Sequence, residues 1–197
     1  MSDSPPRREL ARAAARLAVE ARSPLPPLAL MTDERLGDPL AAAALLPRGS
    51  LVVVRAREAA PRRRLAEAML LLARRRGLIV LVAGDEVPGA DGLHLPEARL
   101  GEALHWRARR PSWLLTAAVH SYAALGKAQR LGFDAVFLAP VFPTESHPGR
   151  RALGAVRANL LARASLLPVY ALGGITARNA GRLYGFCGLA AVSSLDV

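Results

Sequence analysis

Short apolar runs bounded by turn residues alternate along the chain with longer stretches in which apolar residues recur every three or four positions. The runs are 28–31 (LALM), 51–55 (LVVVR), 78–83 (LIVLVA), 91–95 (DGLHL), 113–117 (WLLTA), 135–138 (AVFL), 168–172 (PVYAL) and 188–192 (GLAAV). They are continuous, without strict apolar–polar alternation, as strands covered on both faces of a parallel sheet should be. Helical periodicity occupies 38–46, 61–76, 98–108, 121–131, 153–165 and 176–184. The stretch 83–90 (AGDEVPGA) is too short and too rich in Gly and Pro to be a full helix. A further helix is expected over 6–22, with Leu10, Ala14, Leu17 and Ala21 on one face.

Eight β units in 197 residues predict an α/β fold, a compact (β/α)8 barrel of the TIM type. The alternative, an open doubly wound sheet, seldom uses eight strands, and no strand here runs into a G-x-G-x-x-G turn. The last strand ends close to Val197, so the final barrel helix is expected to be missing or truncated. Either the extra N-terminal helix or a partner subunit would then cover the gap. Residues 1–27 are read as a tail and helix, and 28–197 as the barrel domain.

The length suits one domain with a single substantial core. No apolar run approaches a membrane span, no signal-peptide-like segment follows the charged N-terminus, and the lone Cys187 allows no internal disulfide. A soluble cytoplasmic protein is expected, with Cys187 as packing and no membrane partner. The net charge of +11 raises the question of nucleic acid. The basic residues are almost all Arg, however, scattered over the helical patterns with Lys127 the only lysine. Solvated helix faces account for that better than a polyanion stripe, so no nucleic-acid partner is expected.

In such a barrel, function sits at the carboxyl ends of the strands. Gly173 and Gly174 after the seventh run would let backbone N–H groups approach a ligand, and Thr176 can cap the helix that follows. Ser193 and Ser194 follow the eighth run, and together these loops suit a phosphate cradle. A tight turn with an ordinary cap is the alternative. His120 ends the fifth run ahead of Ser121, a plausible N-cap, and is the candidate for moving a proton. Arg55 and Arg57, spaced i, i+2, would point the same way and capture an anion. Thr144, Ser146 and His147 form a donor-rich loop after the sixth run. Asp33 and Asp85 are acids at strand ends, too separated to make a convincing hard-cation site.

These motifs resemble a known family. PVFPTESHPG (140–149), PVYALGGITARNA (168–180), GLAAVSS (188–194), GADGLHL (89–95) and LVVVRAR (51–57) look like the thiamine phosphate synthase and TenI family of barrels, over about Leu28 to Leu195. The resemblance implies a place in thiamine biosynthesis and a small phosphorylated thiazole, or thiamine phosphate, as the bound molecule. Two activities are implied as alternatives. A synthase joins a pyrimidine diphosphate to thiazole phosphate with Mg2+ as cofactor. A tautomerase isomerises a thiazole carboxylate phosphate with a His and no metal.

Residue by residue, the resemblance separates the two. Gly84-Asp85 falls where the synthase has Asn-Asp, so Asp85 is the ligand that remains if a magnesium site persists. Arg99 or a neighbour falls where a second acidic ligand is expected, which would repel Mg2+. Ala118 replaces a Ser, and His147 replaces the Lys that meets the diphosphate. VHS (119–121) places His120 on the tautomerase's catalytic His. The expectation is therefore a TenI-like thiazole tautomerase without cofactor, with the synthase and a catalytically silent phosphate-binding barrel as alternatives. A homo-oligomer is compatible with either.

Overall fold

In the computed structural model, residues 5–33, 37–144 and 151–191 are described. The eight apolar runs become parallel strands β1 (Leu28–Met31), β2 (Leu51–Val54), β3 (Ile79–Ala83), β4 (Gly92–Leu95), β5 (Leu114–Val119), β6 (Ala135–Leu138), β7 (Val169–Leu172) and β8 (Gly188–Ala191). They pair in sequence order, and β8 returns to β1 through Leu28 opposite Leu189, closing the barrel. Alternate residues face opposite ways. Leu30, Val52, Val82, Leu93 and Val136 join the layer packed under the helices, whereas Met31, Leu51, Val53, Leu81, Phe137 and Tyr170 fill the interior. Phe137 and Tyr170 stack with centroids 4.8 Å apart.

The helices are α1 (Pro5–Ala21), α2 (Pro39–Ala44), α3 (Ala59–Arg76), α4 (Ala103–Arg109), α5 (Tyr122–Arg130), α6 (Ala155–Ala164) and α7 (Ala177–Ala180). A 3₁₀ segment, Glu97–Glu102, precedes α4, so the helix expected over 98–108 is tighter in its first half. The pattern at 176–184 yields only the four residues of α7 before Gly181. No helix among the described residues is long and apolar enough to cross a membrane.

The N-terminal helix does cover the seam. α1 lies against β8, β1 and α7, burying Leu10, Ala14 and Leu17 completely. Ala21, expected on the same face, is exposed, because the helix ends there and the chain turns away through Arg22 in a left-handed conformation. The buried leucines are each worth about 1.5–3 kcal/mol, so α1 is an integral wall of the barrel. Arg74, Arg75 and Arg76 end α3 on its exposed surface, where cations suit the helix dipole. Cys187 is buried in the barrel interior, and burial pushes its thiol up to about 12, consistent with a packing role.

Candidate active site

Two sets of polar groups meet at the carboxyl ends of the strands. The first is built around the segment after β6. His120 directly follows β5, and Ser121 caps α5, its Oγ accepting from the N–H of Ala124 at 3.1 Å. The backbone N–H of His120 donates to Glu97 Oε2 at 2.7 Å, and its ring Nδ1 lies 2.6 Å from the carbonyl oxygen of Ala139. A carbonyl only accepts, so Nδ1 carries the hydrogen, which leaves Nε2 as the position where a proton is taken up or released. A half-buried imidazole with its orientation set in this way can take and return a proton at Nε2.

The turn after β7 packs on the same segment. Val141 and Phe142 donate their N–H groups to Leu172 and Gly173. Gly174 has φ +64, and a Cβ there would stand 2.3 Å from the carbonyl oxygen of Pro143. The sequence reading asked for glycine so that a ligand could come close, but the neighbouring loop already requires it. Asn179 spans the turn, its Oδ1 accepting from Thr176 N and its Nδ2 donating to Gly174 O, both at 2.8 Å. His120, Gly173 and Gly174 thus share one support, Ala139–Pro143. Thr144 is half-buried just beyond it. Ser146, His147, Ser193 and Ser194 lie outside the described residues.

The second set lines β1 to β4. β2 ends at Val54, so strand alternation stops short of the two arginines expected to point together. Arg55 is half-buried and pairs with Asp33, while Arg57 lies on an exposed turn. Thr32 ties the two strand ends, its Oγ1 accepting from Arg55 N at 2.8 Å and donating to Arg55 O at 2.9 Å. Inside the barrel His94 sits 2.9 Å from Thr116 Oγ1 and edge-on to Phe137. Burial, and then the charge of Arg55, lower its pKa to about 3, so His94 is a neutral ring. On the rim, Arg62 of α3 donates to the carbonyl of Ala56 at 2.7 Å and pairs with Asp85. Arg99 forks onto Glu102 through two bonds of 2.6 Å, and its Nη1 donates to Gly84 O at 2.8 Å.

A divalent magnesium ion, which the resemblance implies for a synthase, needs several oxygens converging on one point. Here the Asp85 carboxylate faces Arg62, and the Gly84 carbonyl faces Arg99. Among the described residues no three His, Cys, Asp or Glu side chains come together. The donors at this corner do not fit the ion.

Sequence reasoning missed Arg62, Glu102, Thr116 and Asn179. The pair Arg99–Glu102 has the i, i+3 spacing that could have exposed it. The others join elements distant in sequence or act through the backbone.

Fold and site together define a (β/α)8 barrel whose carboxyl-end mouth gathers an oriented imidazole, a glycine turn and a cluster of guanidiniums. The family model described as thiamine monophosphate synthase matches residues 29–195. The thiamine-phosphate synthase of Chlorobium luteolum is 31% identical over 180 residues, covering 86% of this chain and 85% of that protein. A relative from Aquifex aeolicus is 36% identical over 87 residues, covering 44% of this chain and about half of its own length (46%). A thiamine phosphate pyrophosphorylase from Pyrococcus furiosus shares the fold, with a TM-score of 0.67 at 23% identity over 84% of this chain and 85% of its own. The chain belongs to the thiamine monophosphate synthase/TenI family, whose biosynthetic setting is thiamine.

Proposed function

We propose that this barrel is a TenI-like thiazole tautomerase acting on a small phosphorylated thiazole in the cytoplasm. The orientation of His120 carries the reading. With Nδ1–H held by Ala139 O, Nε2 removes a proton from one position of the bound ring, and the resulting imidazolium delivers it to another. The transfer needs no oxidant and leaves the proton count unchanged. Gly173 and Gly174, with Ser193 and Ser194, are the proposed phosphate cradle. Arg55, Arg57, Thr144, Ser146 and His147 are the proposed contacts to the rest of the substrate. The charged corner at Asp85, which does not fit magnesium, supports a metal-free reaction.

His120→Ala should lower isomerisation by about 10²–10⁴-fold while phosphate binding persists. The rate is followed by proton NMR of the thiazole carboxylate phosphate, and phosphate binding by calorimetry. Unaltered turnover in that variant would remove His120 as the base.

A second reading, thiamine-phosphate synthase, draws support from similarity to relatives such as the thiamine-phosphate synthase of Chlorobium luteolum. Incubation with pyrimidine diphosphate and thiazole phosphate, with and without Mg2+, separates the readings. Condensation only with metal identifies a synthase, and isomerisation in chelator identifies the tautomerase. Neither product, with thiamine phosphate still bound, identifies a silent binding barrel.

A further inference from the structure

The corner between β2, β3 and β4 is charged, partly open and not used by the proton transfer. Arg99 lies so close over Gly84 that a Cβ on the glycine would meet its Nη1 at 2.9 Å. The guanidinium is held by both oxygens of Glu102 on one side and by a backbone carbonyl on the other, and its side chain is 38% exposed. Arg62 is more deeply placed and holds Asp85, and its Nε is buried without a partner. Glu86 is held by Arg109 and Arg110. Beside this corner, against α3, a cleft of about 300 Å³ is lined by Ala59, Arg62, Arg63, Val82, Asp85, Glu86 and Val87, so Arg62 and Asp85 face the cleft while Arg99 stands at its edge over Gly84. Asp85, Glu86 and Glu102 therefore each already face at least one guanidinium, and the guanidiniums outnumber these three carboxylates.

We infer that this corner is a metal-free oxyanion subsite in which Arg99, and not a divalent ion, meets the substrate's second anionic group. A guanidinium is a permanent cation with donors in a planar fork, so it matches a carboxylate or a phosphate without a metal bridge. A second cation placed against Arg62 and Arg99 is repelled, and the oxygens that would ligate it are already accepting hydrogen bonds. The oxyanion could be the carboxylate of a thiazole or the diphosphate of a pyrimidine. The inference rests on the mouth being the substrate site, and it holds whichever residue acts as base.

The test uses the full chain and two probes. Inorganic diphosphate and acetate are titrated by calorimetry in EDTA and in excess Mg2+, and Mn2+ binding is read separately by electron paramagnetic resonance. Diphosphate is expected to bind equally with chelator and with Mg2+, and Arg99→Gln to weaken it about tenfold or more. Acetate binding that also depends on Arg99 assigns the subsite to a carboxylate as well. Free Mn2+ should keep its full signal in the presence of the protein. Stoichiometric Mn2+ binding, diphosphate binding that requires Mg2+, or an unchanged affinity in Arg99→Gln would each overturn the inference. Failure of the His120→Ala experiment would leave all of these readouts untouched, so the two proposals fail separately.

Discussion

The two halves of the barrel mouth are built by different means. On the β5–β7 side the structure is set by backbone: a glycine turn wedged against Pro140–Pro143, an Asn179 side chain spanning that turn, and an imidazole oriented by a carbonyl. On the β2–β4 side it is set by charged side chains, with Arg55–Asp33, Arg62–Asp85 and Arg99–Glu102 each joining groups of opposite sign. A backbone-built rim holds shape closely and tolerates little substitution. A rim of half-exposed ion pairs contributes little to stability, and a single residue change can reverse its preference between cation and anion. Position is thus the property of one side, and charge selection that of the other.

The largest break in this contrast should come from Gly174→Ala. The left-handed φ costs an alanine about 1–2 kcal/mol, and the clash with Pro143 O adds overpacking, for about 3 kcal/mol in all. Gly132→Ala is the control, because Gly132 has φ +74 but nothing within 4 Å of its would-be Cβ. It should lose only the conformational part, about 1 kcal/mol. Urea unfolding of both variants decides the matter. Equal losses would mean that the turn yields, and that the backbone rim is no stiffer than the charged one.

The next effect tests the floor beneath the charged rim. His94 is buried, and desolvation followed by the Arg55 charge lowers its pKa to about 3. In the unfolded chain the imidazole takes a proton below about pH 6.5, whereas the folded protein refuses it until about 3. Protons therefore favour the unfolded state throughout that window, and stability falls on acidification by up to about 1.4 kcal/mol per pH unit. Carboxylates paired with arginine add slopes of their own, so the measurement is the difference between wild type and His94→Gln. That difference should shrink steadily from pH 6.5 towards 4, and a flat one would show that His94 accepts a proton in place.

The barrel was legible because parallel strands covered on both faces leave continuous apolar runs, and the runs for β1, β3, β4, β6 and β7 end where those strands end. The runs were less informative where side chains are small: β5 continues through Ala118 and Val119, beyond the expected 113–117. The expected helix at 98–108 opens as a 3₁₀ segment that includes Gly101, and that at 176–184 stops at Gly181. His120 stood out by its chemistry at a strand end, but its acceptor, a carbonyl of the next strand's exit, has no signature in residue identity. Arg62–Asp85 and Asn179–Gly174 were hidden for the same reason. The first joins residues 23 apart in the chain, and the second uses a backbone oxygen.

The smallest expected effect sharpens the contrast most. Glu102 accepts both arms of the Arg99 fork, and its carboxyl is held below the usual range chiefly by that hydrogen bond. The pair spans i, i+3 with both side chains more than a third exposed, so its loss should cost at most about 0.5 kcal/mol. In Glu102→Gln the guanidinium keeps its bond to Gly84 O but loses the competing carboxylate. Diphosphate should therefore bind a few-fold more tightly while the melting temperature moves by no more than about 2 °C. A large fall in melting temperature would mean that the charged rim supports the fold. Weaker diphosphate binding would mean that Glu102 serves chiefly to aim the Arg99 fork, so that geometry as well as net charge sets affinity on this side of the mouth.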